Sequence, residues 1–473
     1  MGFPTMYRVR QRFEQQPAVP DLRGAVFAEL ERIGLHARIR LGMAVAVGVG
    51  SRGVANLAVV ARAVLDRLKA WGAAPFIVPA MGSHGGATAE GQVKVLATYG
   101  VTEEARGVPI RSSMEVVEVG RMPWGLPVLV DRIAAGADGI VLINRVKPHT
   151  NFTGEVESGL LKMLVLGLGK HQGAQLAHRA AVDISFNRMI PEIARLSLGR
   201  LPVLCGVGLV ENARHETAAV RAIPPEALEA EEKALLQQAR ALAARIPFEF
   251  LHLLIVDEIG KDIAGTGMDP KVIGRMYLYP EEEPKTPRYM RILVRDLTVR
   301  THGNAVGMGF ADFATRRLAD KVDFKVTYTN SLTGSSPARS RMPIILDTDR
   351  EALEVALSTI GLTPPEQARV VRIRNTLALE RRVLRGPPGE ERGRGHLHCP
   401  GRAPAGPPGA GAHPADRPGP LDDPGQGDGR AARGRPGGPG PLLREILRHG
   451  ERRRGSPGPA GSRGSGALTP ERH

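Results

Sequence analysis

The chain of 473 residues has little cysteine, few aromatic residues and no long hydrophobic run. Its two cysteines, Cys205 and Cys399, lie far apart in sequence, which excludes a disulfide framework and a cysteine-rich zinc site. No apolar stretch approaches the roughly 20 residues that a membrane-spanning helix needs. The N-terminus also lacks the basic-then-apolar pattern of a signal peptide. We therefore expect a reduced, cytoplasmic protein without a membrane segment.

Positive charge is abundant, and a net charge of +15 would by itself suggest a nucleic-acid partner. About half of the excess lies in residues 381–473, where 17 arginines accompany 9 acidic residues. This segment is rich in proline, glycine and arginine and contains no lysine, phenylalanine, tyrosine or tryptophan. Such a composition predicts disorder, because it cannot bury enough apolar surface to fold. The rest of the chain is only mildly basic, so we expect no specific nucleic-acid partner.

The composition changes abruptly at Arg381. Because GC-rich codons encode glycine, proline, arginine and alanine, we interpret the tail as an out-of-frame reading of a GC-rich gene or as a functionless extension. The alternative is a disordered arm that binds nucleic acid or another anionic partner. A protein-like continuation in another reading frame of the gene would support the frameshift, and its absence would refute it.

Short apolar runs alternate with segments of helical periodicity in the first half of the chain. Residues 42–50 (GMAVAVGVG) have the pattern of a buried strand, and residues 54–71 carry apolar side chains at helical spacing. Further strands are predicted at 138–146 and 201–210. This alternation predicts an α/β domain with a mainly parallel sheet in residues 1–245.

A second, smaller α/β domain is predicted at residues 246–360. Within it, residues 323–329 are predicted as a strand and residues 350–360 as a helix. We expect the chain to return to the first domain at residues 361–380. The active site is then expected in the cleft between the two domains.

Three loops that follow predicted strands carry side chains suited to chemistry. Arg52 lies in GVGSRG, His84 in GSHGG and His149 in KPHT. Ligands of parallel sheets bind beyond the carboxyl ends of the strands, so we expect these loops to form one site. Two histidines on neighbouring loops can each exchange a proton near neutral pH. The alternatives are an inert loop histidine and a solvated loop arginine.

The GVGSRG stretch matches the glycine pattern of dinucleotide-binding loops. Gly50 and Gly53 would bring backbone N–H groups close to an anion, and Arg52 would add a bidentate clamp for a carboxylate or phosphate. The second strand, however, ends in PAMGSH and lacks the acidic residue that holds the ribose. A nicotinamide-dinucleotide-dependent oxidoreductase therefore stays as an alternative.

Lys162 lies in ESGLLKMLVLG, which is apolar enough to bury much of the side chain. Burial lowers the pKa of a lysine and makes it available for covalent attachment to an electrophile, whereas a snorkelling lysine is the alternative. His178 is the candidate metal ligand, with His171 in reserve, because neutral imidazole binds nickel, copper, zinc or iron. A metallohydrolase using His84, His149 and His178 is a further alternative, although the usual HExxH pattern is absent.

The order and spacing of five polar residues resemble the nickel-dependent lactate racemase family: Arg52, His84, His149, Lys162 and His178. The resemblance extends over roughly residues 10–380. It implies a nickel-pincer nucleotide, a pyridinium-derived cofactor attached to Lys162 through a thioamide bond. It further implies that His178 completes the nickel coordination and that Arg52, Gly50 and Gly53 contact the cofactor.

The resemblance also assigns the acid/base pair to His84 and His149 and the grip on the substrate carboxylate to Arg52. A lysine from the second domain is expected in the site, with Lys261 preferred and Lys271 in reserve. The implied activity is that of an isomerase, a racemase or epimerase of an α-hydroxy acid acting by reversible hydride transfer. Its partners would be the substrate and the enzymes that synthesise the cofactor, and a homo-oligomer is compatible with the sequence.

Some positions depart from the family pattern. Val49 stands where the family usually has an acidic residue, and Ser83-His84-Gly85 replaces a Thr-His-Arg triplet. The run after the lysine, MLVLGLGKHQ, differs as well. These departures predict a substrate other than lactate, either a larger α-hydroxy acid or a sugar acid.

Overall fold

The computed structural model describes residues 2–13, 16–50, 53–385 and 397–398. The strands are β1 Met6–Gln11, β2 Ala44–Val49, β3 Ala74–Pro79, β4 Val116–Arg121, β5 Pro127–Asp131, β6 Gly139–Arg145, β7 Val203–Glu211, β8 Thr217–Ile223, β9 Phe250–Val256, β10 Arg288–Val294, β11 Phe313–Thr315, β12 Ile344–Leu346, β13 Val370–Ile373, β14 Arg381–Arg385 and β15 Leu397–His398. The helices are α1 Leu22–Arg32, α2 Leu57–Ala70, α3 Ala89–Thr98, α4 Glu103–Arg106, α5 Arg132–Ala135, α6 Leu160–Lys162, α7 Lys170–Ile184, α8 Phe186–Leu198, α9 Leu228–Leu242, α10 Pro270–Ile273, α11 Arg316–Ala319, α12 Phe324–Thr333 and α13 Asp349–Ser358. A π-helix, Met163–Gly167, joins α6 to the turn before α7.

The first sheet has the strand order β3-β2-β6-β7-β8, in which only β8 runs antiparallel to its neighbour. Its central strands are apolar on both faces, as parallel strands covered by helices require. Alternate residues pack into two cores, so that Val45 and Val47 face α2 while Ala46 faces the π-helix and α8. This arrangement confirms the predicted α/β fold with a mainly parallel sheet.

The second sheet has the order β12-β11-β10-β9-β13-β14-β1-β15, and the five strands from β12 to β13 are parallel. The N-terminal strand β1 belongs to this sheet and not to the first one. Residues 361–380 were expected to return to the first domain, and this expectation is wrong. Val370 and Val371 are instead buried in β13 beside β9, because they complete the apolar layers of the second sheet.

The sheet also continues past the predicted start of the tail at Arg381. Strand β14 pairs with β13 and β1, and Arg382 within it is buried and donates to the carbonyl oxygen of Leu379 at 2.9 Å. The ordered part of the chain therefore reaches Arg385 at least. Apart from Leu397–His398, the rest of the predicted tail lies outside the described residues.

One predicted strand is a helix. Residues 323–329 begin α12, because the Asp323 side chain caps its first turn by accepting from the N–H of Val326 at 3.0 Å. Thr327 and Ser331, four residues apart, form the buried side of this helix. The helices predicted at 54–71 and 350–360 are confirmed as α2 and α13. Among the described residues, no helix has the length and apolar composition to cross a membrane.

Candidate active site

Loops at the carboxyl edge of the first sheet carry the predicted histidines. Strands β2, β3 and β6 are parallel neighbours, so the loops that follow them start side by side. His84 follows β3, and His149 follows β6. Gly50 and Gly53 are on the loop after β2, whereas Arg52 between them lies outside the described residues.

Lys162 ends the short helix α6, at the junction with the π-helix. Single π-helical turns within α-helices occur frequently at functional sites. Both glycine loops meet this turn. A Cβ atom added to Gly50 would lie 2.9 Å from the Cε atom of Met163, and the N–H of Gly82 donates to the carbonyl oxygen of Gly167 at 3.0 Å. The loop carrying His84 is therefore bonded to the helical segment that follows Lys162.

The turn that carries Lys162 is held from two sides. The Glu232 carboxylate accepts from the backbone N–H groups of Leu160 and Leu161 at 2.6 and 2.9 Å. Asn144 donates to the carbonyl oxygen of Gly159 at 2.8 Å. Burial raises the pKa of Glu232 to about 7, and the two N–H donors oppose that rise. A side chain from α9 therefore caps a helix that is too short to hold itself.

His149 and His178 lie in the same environment as Lys162. Burial, followed by the charge of Lys162, lowers the pKa of His178 to about 4. The pKa of His149 is also well below its usual range, because of burial and then because of Lys162, Lys147, Lys271 and His178. Both imidazoles are therefore neutral at neutral pH. The structure thus brings together three of the residues that sequence analysis singled out.

Two phenylalanines fill the space between these histidines. The His149 ring lies 4.6 Å from the ring of Phe152, which stacks on Phe186 at 5.1 Å. The His178 ring meets the edge of Phe186 at 5.3 Å. These contacts keep the imidazoles in apolar surroundings, which is the first of the two causes of their lowered pKa values.

A backbone hydrogen bond selects the tautomer of His149. Its Nδ1 atom accepts from the N–H of Asn151 at 3.0 Å. Because a backbone N–H can only donate, neutral His149 must carry its proton on Nε2. The free end of the ring therefore presents an N–H donor.

Glu157 anchors the loop of His149. Its fully buried carboxylate accepts from the backbone N–H of His149 at 2.5 Å. Lys271 and Arg240 each donate to the same carboxylate at 2.5 Å. Arg339 adds a contact from the second sheet's part of the chain, since its Nη1 donates to Asn151 Oδ1 at 2.8 Å. Burial lowers the pKa of Arg339 to about 10 and also lowers that of Lys271.

A cavity of about 430 Å³ adjoins His84; it is lined by Ser83, His84, Gly85, Gly86, Val95, Tyr99 and Asn330. The Tyr99 hydroxyl oxygen accepts from the N–H of Gly53 at 3.0 Å, so the loop after β2 reaches this cavity as well. Asn330, another lining residue, accepts from Lys261 Nζ at 2.7 Å. Lys261 therefore approaches the His84 cavity, whereas Lys271 approaches His149.

Sequence analysis missed Glu157, Lys170 and Glu232. Glu157 and Lys170 lie with Lys162 in residues 146–179, a mostly apolar stretch, and a charge inside such a stretch is the signal that could have revealed them. Glu232 lies among other polar residues of a helical pattern, so its sequence surroundings give no sign that it is buried. His171, the reserve metal ligand, has a buried Nδ1 atom without a hydrogen bond. Among the described residues, no three His, Cys, Asp or Glu side chains form a metal-binding group.

Comparison with known proteins gives a family match and a structural neighbour. A model of the lactate racemase N-terminal domain family matches residues 39–187. A solved structure, the lactate racemase apoprotein from Thermoanaerobacterium thermosaccharolyticum, is similar to this chain with a TM-score of 0.48 and 13% identity. It covers 79% of this chain and 99% of its own. A search of curated protein sequences found no match.

The matched residues 39–187 include both histidine loops, the π-helix and the helix α7. They therefore contain all five residues on which the sequence resemblance was based: Arg52, His84, His149, Lys162 and His178. The family match confirms that resemblance for residues 39–187, which are similar to the lactate racemase N-terminal domain.

Proposed function

We propose that the protein is a racemase or epimerase of an α-hydroxy acid that uses a nickel-pincer nucleotide attached to Lys162. The observation that carries this proposal is the shared environment of Lys162, His149 and His178, to which the His84 loop is bonded through the π-helix. One lysine and one neutral imidazole on adjoining helical segments are what a covalently attached, metal-binding cofactor requires.

The residues present fit such a group. His178 stays neutral because of burial and the nearby ammonium of Lys162, so its lone pair is available to a metal. A cofactor that brings most of its own metal ligands needs only one from the protein, and a single imidazole at His178 meets that need. Lys162 would form the covalent attachment, and His178 would complete the coordination. When bound, the cofactor supplies reversible hydride acceptance from the α-carbon of the substrate.

The protein's part in the reaction is proton transfer at the substrate hydroxyl. His84 and His149, on loops at the same edge of the first sheet, would each take and return this proton, because inversion requires the same chemistry on both faces of the carbon. The resting tautomer of His149 donates from Nε2. Proton exchange at Nε2 requires the bond between Nδ1 and Asn151 to open, because Nδ1 would then itself carry a proton.

The walls of the site support the chemistry and the choice of substrate. Leu160 and Leu164 are fully buried beside Lys162 and would exclude water from the reacting carbon. Ser83, Tyr99 and Asn330 give the His84 cavity polar groups suited to binding additional hydroxyl groups of a substrate. These features favour a larger α-hydroxy acid or a sugar acid.

The test uses protein produced together with the cofactor-synthesis enzymes. We expect it to invert, or to exchange deuterium at the α-carbon of, at least one acid from a panel of 2-hydroxy acids and sugar acids. Lys162→Ala should abolish exchange, whereas Lys94→Ala, which removes an exposed lysine on α3, should retain it. Activity that persists in Lys162→Ala, or that needs added nicotinamide cofactor, would contradict the proposal.

A further inference from the structure

Lys170 is a fully buried lysine that the proposed chemistry does not use. Its Nζ atom donates to the carbonyl oxygen of Pro79 at 2.6 Å and to Gln92 Oε1 at 3.0 Å, and it lies 3.0 Å from Asp131 Oδ2. The buried ammonium group therefore makes two hydrogen bonds and one ion pair. Its backbone φ of 52° is in the left-handed region, a conformation that persists only where surrounding contacts enforce it.

The partners of Lys170 lead directly to the loop of His84. Gln92, which is also fully buried, donates from Nε2 to the carbonyl oxygen of Gly82 at 2.7 Å and to that of His84 at 3.5 Å. Pro79 is the last residue of β3, immediately before this loop. The buried ammonium therefore contacts both the strand that starts the loop and the glutamine that holds it.

Lys170 also belongs to the segment that carries the other chemical groups. It is the first residue of α7 and lies midway in sequence between Lys162 and His178. Asp131, its ionic partner, accepts from the N–H of Ala134 and donates its own N–H to the carbonyl oxygen of Leu168 at 2.6 Å. The turn between the π-helix and α7 is thus tied to the same buried network.

We infer that Lys170 and Gln92 are positioning residues that hold the His84 loop in register with the helical segment carrying Lys162 and His178. A buried ion pair adds little net stability compared with apolar packing, so geometric specificity is a better explanation for its presence. The consequence of this positioning for catalysis rests on the proposed function. The relay from Lys170 through Gln92 to the loop, however, can be tested in the cofactor-free chain.

The decisive variants are Gln92→Met and Gln92→Glu. Methionine has a similar length but cannot donate to the Gly82 and His84 carbonyl oxygens, and glutamate retains an acceptor for Lys170 while losing the same donor. Both leave Lys170 paired with Asp131. Gln175→Met, at an exposed position on α7, is the matched control.

The first measurement is amide hydrogen exchange of residues 82–87 in the full-length protein without cofactor. We expect exchange there to rise about tenfold in both Gln92 variants and to be unchanged in Gln175→Met, because a loop anchor has been lost. Unchanged loop exchange in the Gln92 variants would overturn the inference. A uniform rise across the first sheet would also overturn it, since Gln92 would then support only the core.

The second measurement uses protein loaded with cofactor. We expect the adduct on Lys162 to form at the wild-type level and kcat to fall by about 10- to 100-fold with little change in KM, because His84 is misplaced rather than removed. Loss of the adduct in parallel with activity would contradict a role specific to His84. If the wild-type protein takes up no cofactor, the proposed function fails, while the exchange experiment still decides on the relay.

Discussion

Both sheets have an edge where loops follow the carboxyl ends of parallel strands, but the two edges carry different side chains. In the first sheet, the loops beyond the parallel strands are glycine-rich and carry His84 and His149. In the second sheet, the corresponding edge is occupied by ion pairs. Arg295 after β10 binds Asp257 after β9 at 2.7 Å, and Asp257 also binds Arg372 at 2.8 Å.

The difference teaches what separates a reactive edge from a structural one. At the second edge, Arg295 pairs with Asp257 and Asp349, and Arg372 also pairs with Asp257. Each carboxylate therefore has an arginine partner that neutralises its charge. At the first edge, the ionisable rings of His149 and His178 are surrounded by phenylalanines and by positive charge, so their pKa values are shifted. Shifted pKa values in a cleft are typical of functional sites.

The largest expected effect comes from removing the histidines of the first edge. His84→Ala and His149→Ala should each lower kcat/KM by about 100- to 10,000-fold, the usual contribution of a general acid or base. The free energy of unfolding should change by less than about 1 kcal/mol, since Gln92 and Glu157, which anchor the two loops through backbone groups, stay in place. Urea unfolding and the deuterium-exchange assay measure the two quantities. His36→Ala, at an exposed histidine, is the control, and full activity of either loop variant would remove that residue from the mechanism.

A second effect is expected at Glu157, which binds both the His149 loop and Lys271. Glu157→Gln should lower the free energy of unfolding by about 3 kcal/mol, because Lys271 and Arg240 lose their buried carboxylate partner. Glu155→Gln removes an exposed carboxylate from the same loop and should change stability by less than about 0.5 kcal/mol. Equal denaturation midpoints for the two variants would show that the buried Glu157 cluster contributes no more to stability than an exposed ion pair.

The second edge should affect stability alone. Arg295→Met removes the arginine that binds Asp257 and Asp349, and we expect a loss of about 2 kcal/mol in unfolding free energy. The Lys162 adduct and kcat/KM should stay at wild-type levels when measured well below the unfolding temperature. A large fall in activity without loss of stability would erase the distinction between the edges.

The smallest expected effect is the pH dependence that His178 contributes. Its pKa is about 4 in the folded chain and about 6.5 in the unfolded chain, so the unfolded chain binds more protons between these values. Stability should therefore fall as the pH drops from 6.5 towards 4, by about 1–2 kcal/mol after allowance for partial exposure. His178→Asn should flatten part of this slope in urea titrations, and His215→Asn, at an exposed site, should not. An unchanged slope in His178→Asn would show that the imidazole is not desolvated.

Much of this contrast could be predicted from the sequence, because local patterns carry it. The alternation of strands and helices predicted the first sheet, and the ends of β3 and β6 placed His84 and His149 on loops at the same edge, on either side of the loop after β2. Lys162 and His178 lie on different helices, α6 and α7. Sixteen residues of one continuous helix would hold them about 24 Å apart, so their proximity depends on the break between the π-helix and α7, which the sequence pattern did not predict.

What could not be predicted depends on contacts between distant parts of the chain. The partners of Glu157 come from α9 and α10, and Glu232 caps a helix to which it is not adjacent in sequence. The sequence pattern of residues 323–329 favoured a strand. The structure has a helix there, which Asp323 caps and which buries Thr327 on one side. Strand β13, within residues 361–380, pairs in parallel with β9 of the second sheet. No local sequence pattern reveals such a pairing between distant strands.

The central claim is that Lys162 and His178 bind one nickel-containing cofactor at the first edge. Its most direct test is the mass of the proteolytic peptide containing Lys162, together with the nickel content, in protein produced with the cofactor-synthesis enzymes. We predict a covalent adduct on Lys162 with nickel bound, and loss of nickel but not of the adduct in His178→Ala. Catalytically active protein with an unmodified Lys162 peptide and no nickel would contradict the account.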